Sequence, residues 1–375
     1  MADWPRLAQT TIKDYGRNYE KTLMRNQAIM ALLQDAGRIS FNRGGNGFTW
    51  NVQKKRAIPV GNRGDKPLVF VPVNRFEQAF LDYRGFCITD VMTKLEYLKN
   101  RGREALINYY AEMGKLLYED QGRNFQQQAW NNGNAASAPD SFHGLESFTF
   151  YNGNSINITT GAIRAFNAGD VAMAPSTTYG GLDTDLGIYG GSVTGVWPNN
   201  FVATNQGDTY DFYSPILINY NSTYFGGAVA DWAHQCEMAL RFGISASMKD
   251  ASKEGILDVI LMNPDLWRQL KDYYSPAQRI NIENTKLRKL GFTDTITIDG
   301  VECKAEFGVP VGTAYGFNID QMEFRSMQKT LMATEGPEYH QESQTYRVNN
   351  SLLGNFRFTS PKYFAKWFNY TGTPS

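Results

Sequence analysis

The sequence predicts an α+β fold with two packed cores, or one core with long excursions, and three observations carry this reading. In the first third of the chain, apolar residues recur at three and four residues over two long stretches, the period of an amphipathic helix. From Thr295 onward, short β-rich runs bounded by turn residues follow one another. Between these regions, Leu257-Asp258-Val259-Ile260-Leu261-Met262 reads as a buried strand running into the cap Asn263-Pro264-Asp265 of a helix that carries Leu266, Trp267 and Leu270. At 375 residues the chain also exceeds the usual size of one compact domain.

Taken in order, Ile12, Tyr15, Tyr19, Leu23, Met30 and Leu33 mark one amphipathic helix from Thr11 to Leu33, stopped at Gly37. Phe48, Trp50 and Val52 alternate with polar residues, so they share one face of a strand. After Lys54-Lys55-Arg56 and the turn Gly61-Asn62-Arg63-Gly64-Asp65, the apolar run from Pro67 to Val71 and on through Phe76, Phe80, Tyr83, Phe86 and Ile88 reads as the return arm of a long hairpin. Pro72 keeps part of that arm out of a central strand position. Thr93 and Glu96 form a capping box for a helix from Lys94 to about Asp120, with Leu106, Tyr109 and Met113 on its buried face. Gly102 and Gly114 inside it each cost about 1 kcal/mol against alanine, which predicts a neighbour packed close at both points.

Residues 131–140 form a turn-rich break, and residues 145–225, rich in Gly, Asn, Thr and aromatics, read as an irregular β segment. Val229, Trp232, Ala233, Cys236 and Leu240 then mark a helix. Thr295–Ile298 and Val301–Lys304, joined by Asp299-Gly300, make the clearest hairpin. Further strands are expected at residues 313–317, 322–332, 344–348, 353–359 and 363–369.

Composition narrows the function classes. With 42% hydrophobic and 20% charged residues the chain is globular, and its 35 glycines follow no three-residue period, which excludes collagen. Thirty-seven basic residues balance thirty-seven acidic ones, so the whole surface does not grip nucleic acid by counterion release. Met1-Ala2-Asp3-Trp4-Pro5-Arg6 has no apolar core of a signal peptide, and the most apolar run, Ile256 to Met262, is short and interrupted by Asp258. Neither secretion by a signal peptide nor a membrane span is expected. Cys87, Cys236 and Cys303 are at no metal-ligand spacing and read as reduced thiols.

The search for chemistry finds no constellation. His143, His234 and His340 form no zinc motif, and His234 and Cys236, two apart, do not share a helix face. There is no nucleophile elbow or phosphate loop, and Asp183-Thr184-Asp185-Leu186-Gly187 lacks the spacing of a calcium loop. No catalytic, cofactor-binding or metal-binding residue is therefore assigned. Carboxylates are numerous enough for a glycosidase pair to meet in space, but nothing singles out a pair. Phe148, Phe150, Tyr151, Tyr179, Tyr189 and Trp197 suit either sugar stacking or the packing of a β-rich segment, with packing the ordinary case.

Charge placement is the unusual feature. Residues 38–66 hold Arg38, Arg43, Lys54, Lys55, Arg56, Arg63 and Lys66 against Asp65 alone. The remainder of a neutral chain is then acidic, and a basic hairpin end is expected to reach an acidic partner or a polyanion rather than fold back on its own body, with a solvated, mobile hairpin as the alternative.

With these elements in order, the chain resembles the major capsid protein of tailed bacteriophages, with its Hong Kong 97-like fold. Ser141-Phe142-His143-Gly144-Leu145-Glu146 resembles the Gly-Leu motif that follows the spine helix in that family, and Thr178-Tyr179-Gly180-Gly181-Leu182 resembles its Thr-Tyr-Ala-Gly-Ile/Leu segment, with Gly180 in place of alanine. Asp258 to Trp267 resembles the strand, turn and helix of its axial domain, and Gly354–Phe358 with Lys362–Lys366 its last peripheral-domain strands.

The resemblance implies an amino-terminal arm at 1–37, an extended β-hairpin loop at 38–92, a spine helix and peripheral domain at 93–150, a β-rich segment and axial domain at 151–335, and returning peripheral-domain strands at 336–375. It implies a non-enzymatic, cofactor-free shell subunit of an icosahedral virion capsid, assembled in the host cytoplasm into hexamers and pentamers around double-stranded DNA. Arg43, Lys54, Lys55, Arg56, Arg63 and Lys66 of the extended loop would then make intersubunit contacts. Scaffolding, portal and decoration proteins are the implied partners, with no membrane. No cleavable scaffolding segment is read ahead of the arm, which implies a separate scaffolding protein or none. Some family members crosslink a loop lysine to a neighbour's asparagine; Lys54, Lys55 and Lys66 are available, without a matching local motif. A nanocompartment shell of the same fold and a carbohydrate-binding or carbohydrate-active tail protein remain as alternatives at this point.

Overall fold

The computed structural model describes residues 4–53, 74–99, 103–137, 139–149, 155–157, 171–173, 178–184, 213, 215–221, 225, 229, 231–247, 256–274 and 294–369. In chain order the first elements are helices α1 (Trp4–Asn26) and α2 (Ala28–Asp35) and strands β1 (Ile39–Ser40), β2 (Gly47–Gln53), β3 (Phe76–Asp82) and β4 (Arg84–Thr93). Helices α3 (Lys94–Lys99), α4 (Arg103–Gln128) and α5 (Glu146–Thr149) follow, then strands β5 (Ser155–Asn157), β6 (Val171–Met173), β7 (Thr178–Tyr179), β8 (Leu182–Asp183) and β9 (Ile216–Asn219). Next come α6 (Trp232–Ser247), β10 (Val259–Met262), α7 (Pro264–Tyr274), β11 (Ile296–Ile298), β12 (Val301–Ala305) and β13 (Ala314–Phe317). The last strands are β14 (Met322–Ser326), β15 (Ala333–His340), β16 (Thr345–Phe358) and β17 (Ala365–Phe368). These elements form two compact units: unit 1 from Met1–Gly47, Asp82–Gly144 and Glu323–Arg357, and unit 2 from Phe48–Leu81, Leu145–Met322 and Phe358–Ser375.

Unit 1 packs helices on a five-stranded sheet in the order β1-β14-β16-β15, with β4 also paired to β16. The β4–β16 ladder runs antiparallel from Thr345↔Thr93 to Gly354↔Arg84. Helices α1 and α4 approach closely because glycines stand where side chains would collide. A Cβ on Gly16 would overlap the Tyr118 ring, one on Gly114 would meet Ile12, and one on Gly122 would meet Tyr19. The close neighbour expected at Gly114 is therefore α1; Gly102 lies outside the described residues. Phe125 of α4 meets Phe142, Phe324 and Phe356 with ring centroids 5.6 to 6.4 Å apart, the edge-to-face and offset geometry aromatic rings prefer.

Several expectations in this unit are corrected. The single helix from Thr11 to Leu33 is two, broken at Gln27, whose backbone is extended (φ −90, ψ 114) and whose Nε2 donates to Gln126 O at 3.4 Å. The break re-aims the chain so that every residue from Ala28 to Leu33 is buried. The helix from Lys94 is described over Lys94–Lys99 and Arg103–Gln128, with residues 100–102 outside the described residues, and it runs on to Gln128 rather than ending near Asp120. Leu106 and Met113 are buried as expected, but Tyr109 is 36% exposed and its neighbour Tyr110 is buried instead. Strands expected at 344–348 and 353–359 are one continuous strand, β16, while the strand begun at Met322 ends at Ser326 rather than 332. Strand β15 falls outside the expected strands; it accommodates Gly336 and Pro337 through a register shift between Glu335 and Glu338.

Unit 2 holds a six-stranded mixed sheet in the order β11-β12-β10-β13-β17-β9. Its core joins Ile260, Met262, Ile296, Cys303 and Trp367 to Trp232, Leu240 and Ile244 of α6 and Leu266 and Leu270 of α7. The indoles are satisfied as they are buried: Trp232 Nε1 donates to Leu266 O at 2.9 Å and Trp367 Nε1 to Ala239 O at 2.8 Å. The β11–β12 hairpin turns at Asp299 (φ 48) and Gly300 (φ 85), the left-handed pair that a two-residue type I′ turn requires. Asn263 caps α7 as expected, its Oδ1 accepting from Asp265 N–H at 3.0 Å.

The expected segment boundaries also shift. Residues 38–92 are not one hairpin: β2 pairs with β3, whereas β1 pairs with β14 and β4 with β16 in unit 1. The tail from 336 divides as well, since β17 lies between β13 and β9 in the sheet of unit 2. Strand β14, placed by sequence in the axial segment, pairs in the sheet of unit 1.

Candidate assembly surfaces

The candidate site is a set of exposed surfaces on rigid supports. Of the basic residues singled out by charge, Arg43 is exposed in the turn after β1, with its backbone N–H on Ser326 O at 3.1 Å. Lys54, Lys55, Arg56, Arg63 and Lys66 lie outside the described residues. It does define the two strands that lead to and from their segment. Phe48, Trp50 and Val52 of β2 and Ala79 and Leu81 of β3 are buried on one face. Trp50 Nε1 donates to Thr359 O at 2.7 Å, and Phe80 N–H donates to Gly180 O at 3.0 Å. Gly180 sits at φ +61 with the Trp50 ring and Ala79 against its Cα, so a side chain there would face both backbone strain and a collision. On the opposite face Phe76 and Phe80 are exposed. Sequence reasoning had set both in an apolar arm without saying which face they take.

A second surface, in unit 1, was missed. Helix α3 is held at its start by the capping box, Thr93 N–H on Glu96 Oε2 at 2.9 Å and Glu96 N–H on Thr93 Oγ1 at 3.3 Å, yet it buries none of its residues. Leu95 is 62% exposed and Leu98 is also exposed. Beside this helix Tyr97 packs on Tyr346, which packs in turn on Tyr339, both with centroids 5.0 Å apart. Burial first, then the carboxylates of Glu96 and Asp90, raise the pKa of Tyr109, which places acidic groups at the edge of this aromatic patch. A helical period in the sequence cannot tell a face buried within the chain from one left for another chain.

A third surface lies on unit 2, in the loop between β12 and β13. Phe307 is 71% and Val311 82% exposed, although the loop is firmly pinned. Asn263 Nδ2 donates to Val309 O, Tyr220 Oη to Gly312 O and Thr313 Oγ1 to Pro310 O, at 3.0, 3.0 and 2.7 Å. Such a loop presents apolar area without first having to be ordered.

The chemistry of the described interior is structural. Among the described residues, no group of three or more His, Cys, Asp or Glu could hold a metal ion. His234 is exposed and Cys236 buried, as their spacing on α6 requires. His143 is buried in unit 1; burial first, and then the Arg84 guanidinium, lower its pKa to about 3. Of the aromatics considered for sugar stacking, Phe148 and Tyr179 are fully buried and pack against Phe358, which favours the packing reading; Phe150, Tyr151, Tyr189 and Trp197 lie outside the described residues. No described helix is long and apolar enough to cross a membrane.

No family model matches the sequence, and no curated protein matches it. Solved structures do. A chain of the cyanophage A-1(L) capsid asymmetric unit aligns over 92% of this chain and 93% of its own length, with a TM-score of 0.54 at 12% identity. Chains of the bacteriophage PhiM1 mature capsid (12% identity, 89% and 86% covered, TM-score 0.48) and of Gordonia phage Cozz (12%, 92% and 87%, 0.46) are also similar. The match to the cyanophage chain, nearly end to end on both sides, shows that this chain shares the fold of a chain of that capsid.

Proposed function

We propose that this chain is the shell subunit of a tailed-phage head, the major capsid protein, which self-assembles into hexamers and pentamers of an icosahedral capsid that encloses double-stranded DNA. One observation carries the reading: the cyanophage A-1(L) capsid chain is matched over 92% of this chain and 93% of that one. The surfaces above support it. Heterologous contacts that close into rings need distinct patches on one chain, and the pinned Phe307–Val311 loop and the α3 patch are two distinct exposed surfaces. The basic segment that holds Lys54, Lys55, Arg56, Arg63 and Lys66, with Arg43 at its approach, lies over an adjacent subunit and meets acidic surface there. An overall neutral chain suits a container whose wall should not bind the packed polyanion tightly. No catalysis is assigned to it. The subunit belongs to the virion and assembles in the host cytoplasm with a scaffolding protein, a portal and any decoration protein.

The test is negative-stain microscopy and sedimentation of the expressed full-length chain. Closed shells or capsomers are expected. A chain that stays monomeric at every concentration and salt, alone and with its neighbouring gene products, overturns the reading. Shells loaded with an enzyme rather than DNA would assign it to a nanocompartment.

A further inference from the structure

Helix α1 buries one stripe, made by Ile12, Gly16, Glu20 and Leu23, at the spacing that sets residues on a single helix face. Three of these suit a packed seam. The fourth is a carboxylate, only 9% exposed. It borders a cavity of about 280 Å³ lined by Lys13 and Arg17 of its own helix, Tyr118 of α4, and the chain from Thr330 to Glu335 at the start of β15. Glu20 Oε1 accepts from Met332 N–H at 2.8 Å and so ties the helix directly to the sheet side of the cavity. The charged and titratable groups that face it are Lys13 and Arg17, both exposed, Tyr118, and the like-charged Glu335. Arg17 stands 3.9 Å from Asp14, and Tyr118 is hydrogen-bonded to Thr334.

We propose that Glu20 is a proton-operated latch, which holds α1 against the β15 side of unit 1 when protonated and loosens that hold when ionised. The physical basis is desolvation. Burial raises its carboxyl to about 7, and the Met332 N–H and Arg17 oppose this only in part. A released helix would return the group to its ordinary value of 4.5. The docked form therefore binds the proton more tightly, so docking is strongest below about pH 4.5, weakens as the pH rises to about 7, and is constant above that. Helix α1 carries five basic and two acidic residues, so what the latch frees is a basic helix. The inference rests on unit 1 alone and does not depend on the shell reading.

Hydrogen exchange of the α1 amides in the full-length chain tests it, with the intrinsic pH dependence of exchange removed. A local readout is needed because His143 titrates in the same unit with the opposite sign. In the wild type, protection of α1 should fall by up to about 70-fold between pH 5 and pH 8, the factor that follows from a pKa moving between about 7 and 4.5. Glu20→Gln should show a flat profile, with protection at pH 8 above that of the wild type. Tyr118→Phe, which keeps the carboxyl, should retain the fall. A wild-type profile that is flat, or a Glu20→Gln profile that falls with the wild type, overturns the proposal; if Glu20→Gln does not fold, the wild-type profile decides alone.

Discussion

Lys366 is where burial and charge conflict most directly. It is 6% exposed on β17 in unit 2, and its Nζ lies 2.6 Å from Glu146 Oε1 and 3.2 Å from Thr149 O. Tyr315 donates its hydroxyl to the same carboxylate, and burial, followed by the charge of Glu146, raises the tyrosine pKa far above its ordinary value. The cluster is self-satisfied, which makes it fragile to halves. Glu146→Gln leaves a buried ammonium without its counter-charge and should cost about 3 to 5 kcal/mol in denaturant unfolding, while Glu146→Gln with Lys366→Met should recover most of that loss. An additive double mutant would show that the pair is not coupled. His143 supplies the second residue-scale expectation. Its folded pKa of about 3 lies below the ordinary 6.5, so the unfolded chain takes up the proton first as the pH falls. Its contribution is fully present above about pH 6.5 and is lost progressively toward pH 3, by up to about 3 to 4 kcal/mol between pH 7 and pH 4. A His143→Gln variant should lack that part of the acid slope in a urea titration series.

At the scale of the element, α4 organises unit 1, and its buried face separates two adjacent tyrosines. Tyr110→Ala removes a fully buried ring and should destabilise by about 3 to 5 kcal/mol, whereas Tyr109→Ala, at the exposed patch, should cost about 1 kcal/mol or less. Equal losses would show that the face is wrongly assigned. Leu106→Asp would bury an unpaired charge on the same face and should abolish soluble expression. Element identity was legible wherever a local rule sufficed. The Asp299-Gly300 turn, the Asn263 cap and the Thr93–Glu96 box all sit where their chemistry places them. The break at Gln27 was not legible, because glutamine is a good helix former and only the packing of Ala28–Leu33 selects an extended backbone there.

For the whole molecule, the decisive question is how the basic segment is used. Exposed ion pairs contribute only about 0 to 1 kcal/mol each, so a single substitution there should do little. In the shell proposed above each contact would repeat, so changing Lys54, Lys55, Arg56 and Arg63 together to glutamate should leave the circular dichroism of the chain unchanged and abolish assembly in sedimentation. Shells that form as before would remove the segment from the interface; shells that form without retaining DNA would set it on the inner surface instead. Most of the order of helices, strands and caps, and with it the resemblance to a capsid chain, follows from the sequence alone, since periodicity, turn residues and capping groups act over a few residues; the break at Gln27 and strand β15 do not. The partners of those elements were decided only in three dimensions. Strand β17 joins the sheet of unit 2, β4 leaves its hairpin to pair with β16, and Glu20 sits on a buried stripe because side chains far apart in sequence close around it. Pairing and burial are set by long-range packing, and a local pattern carries that information only where one face of an element has a single possible partner.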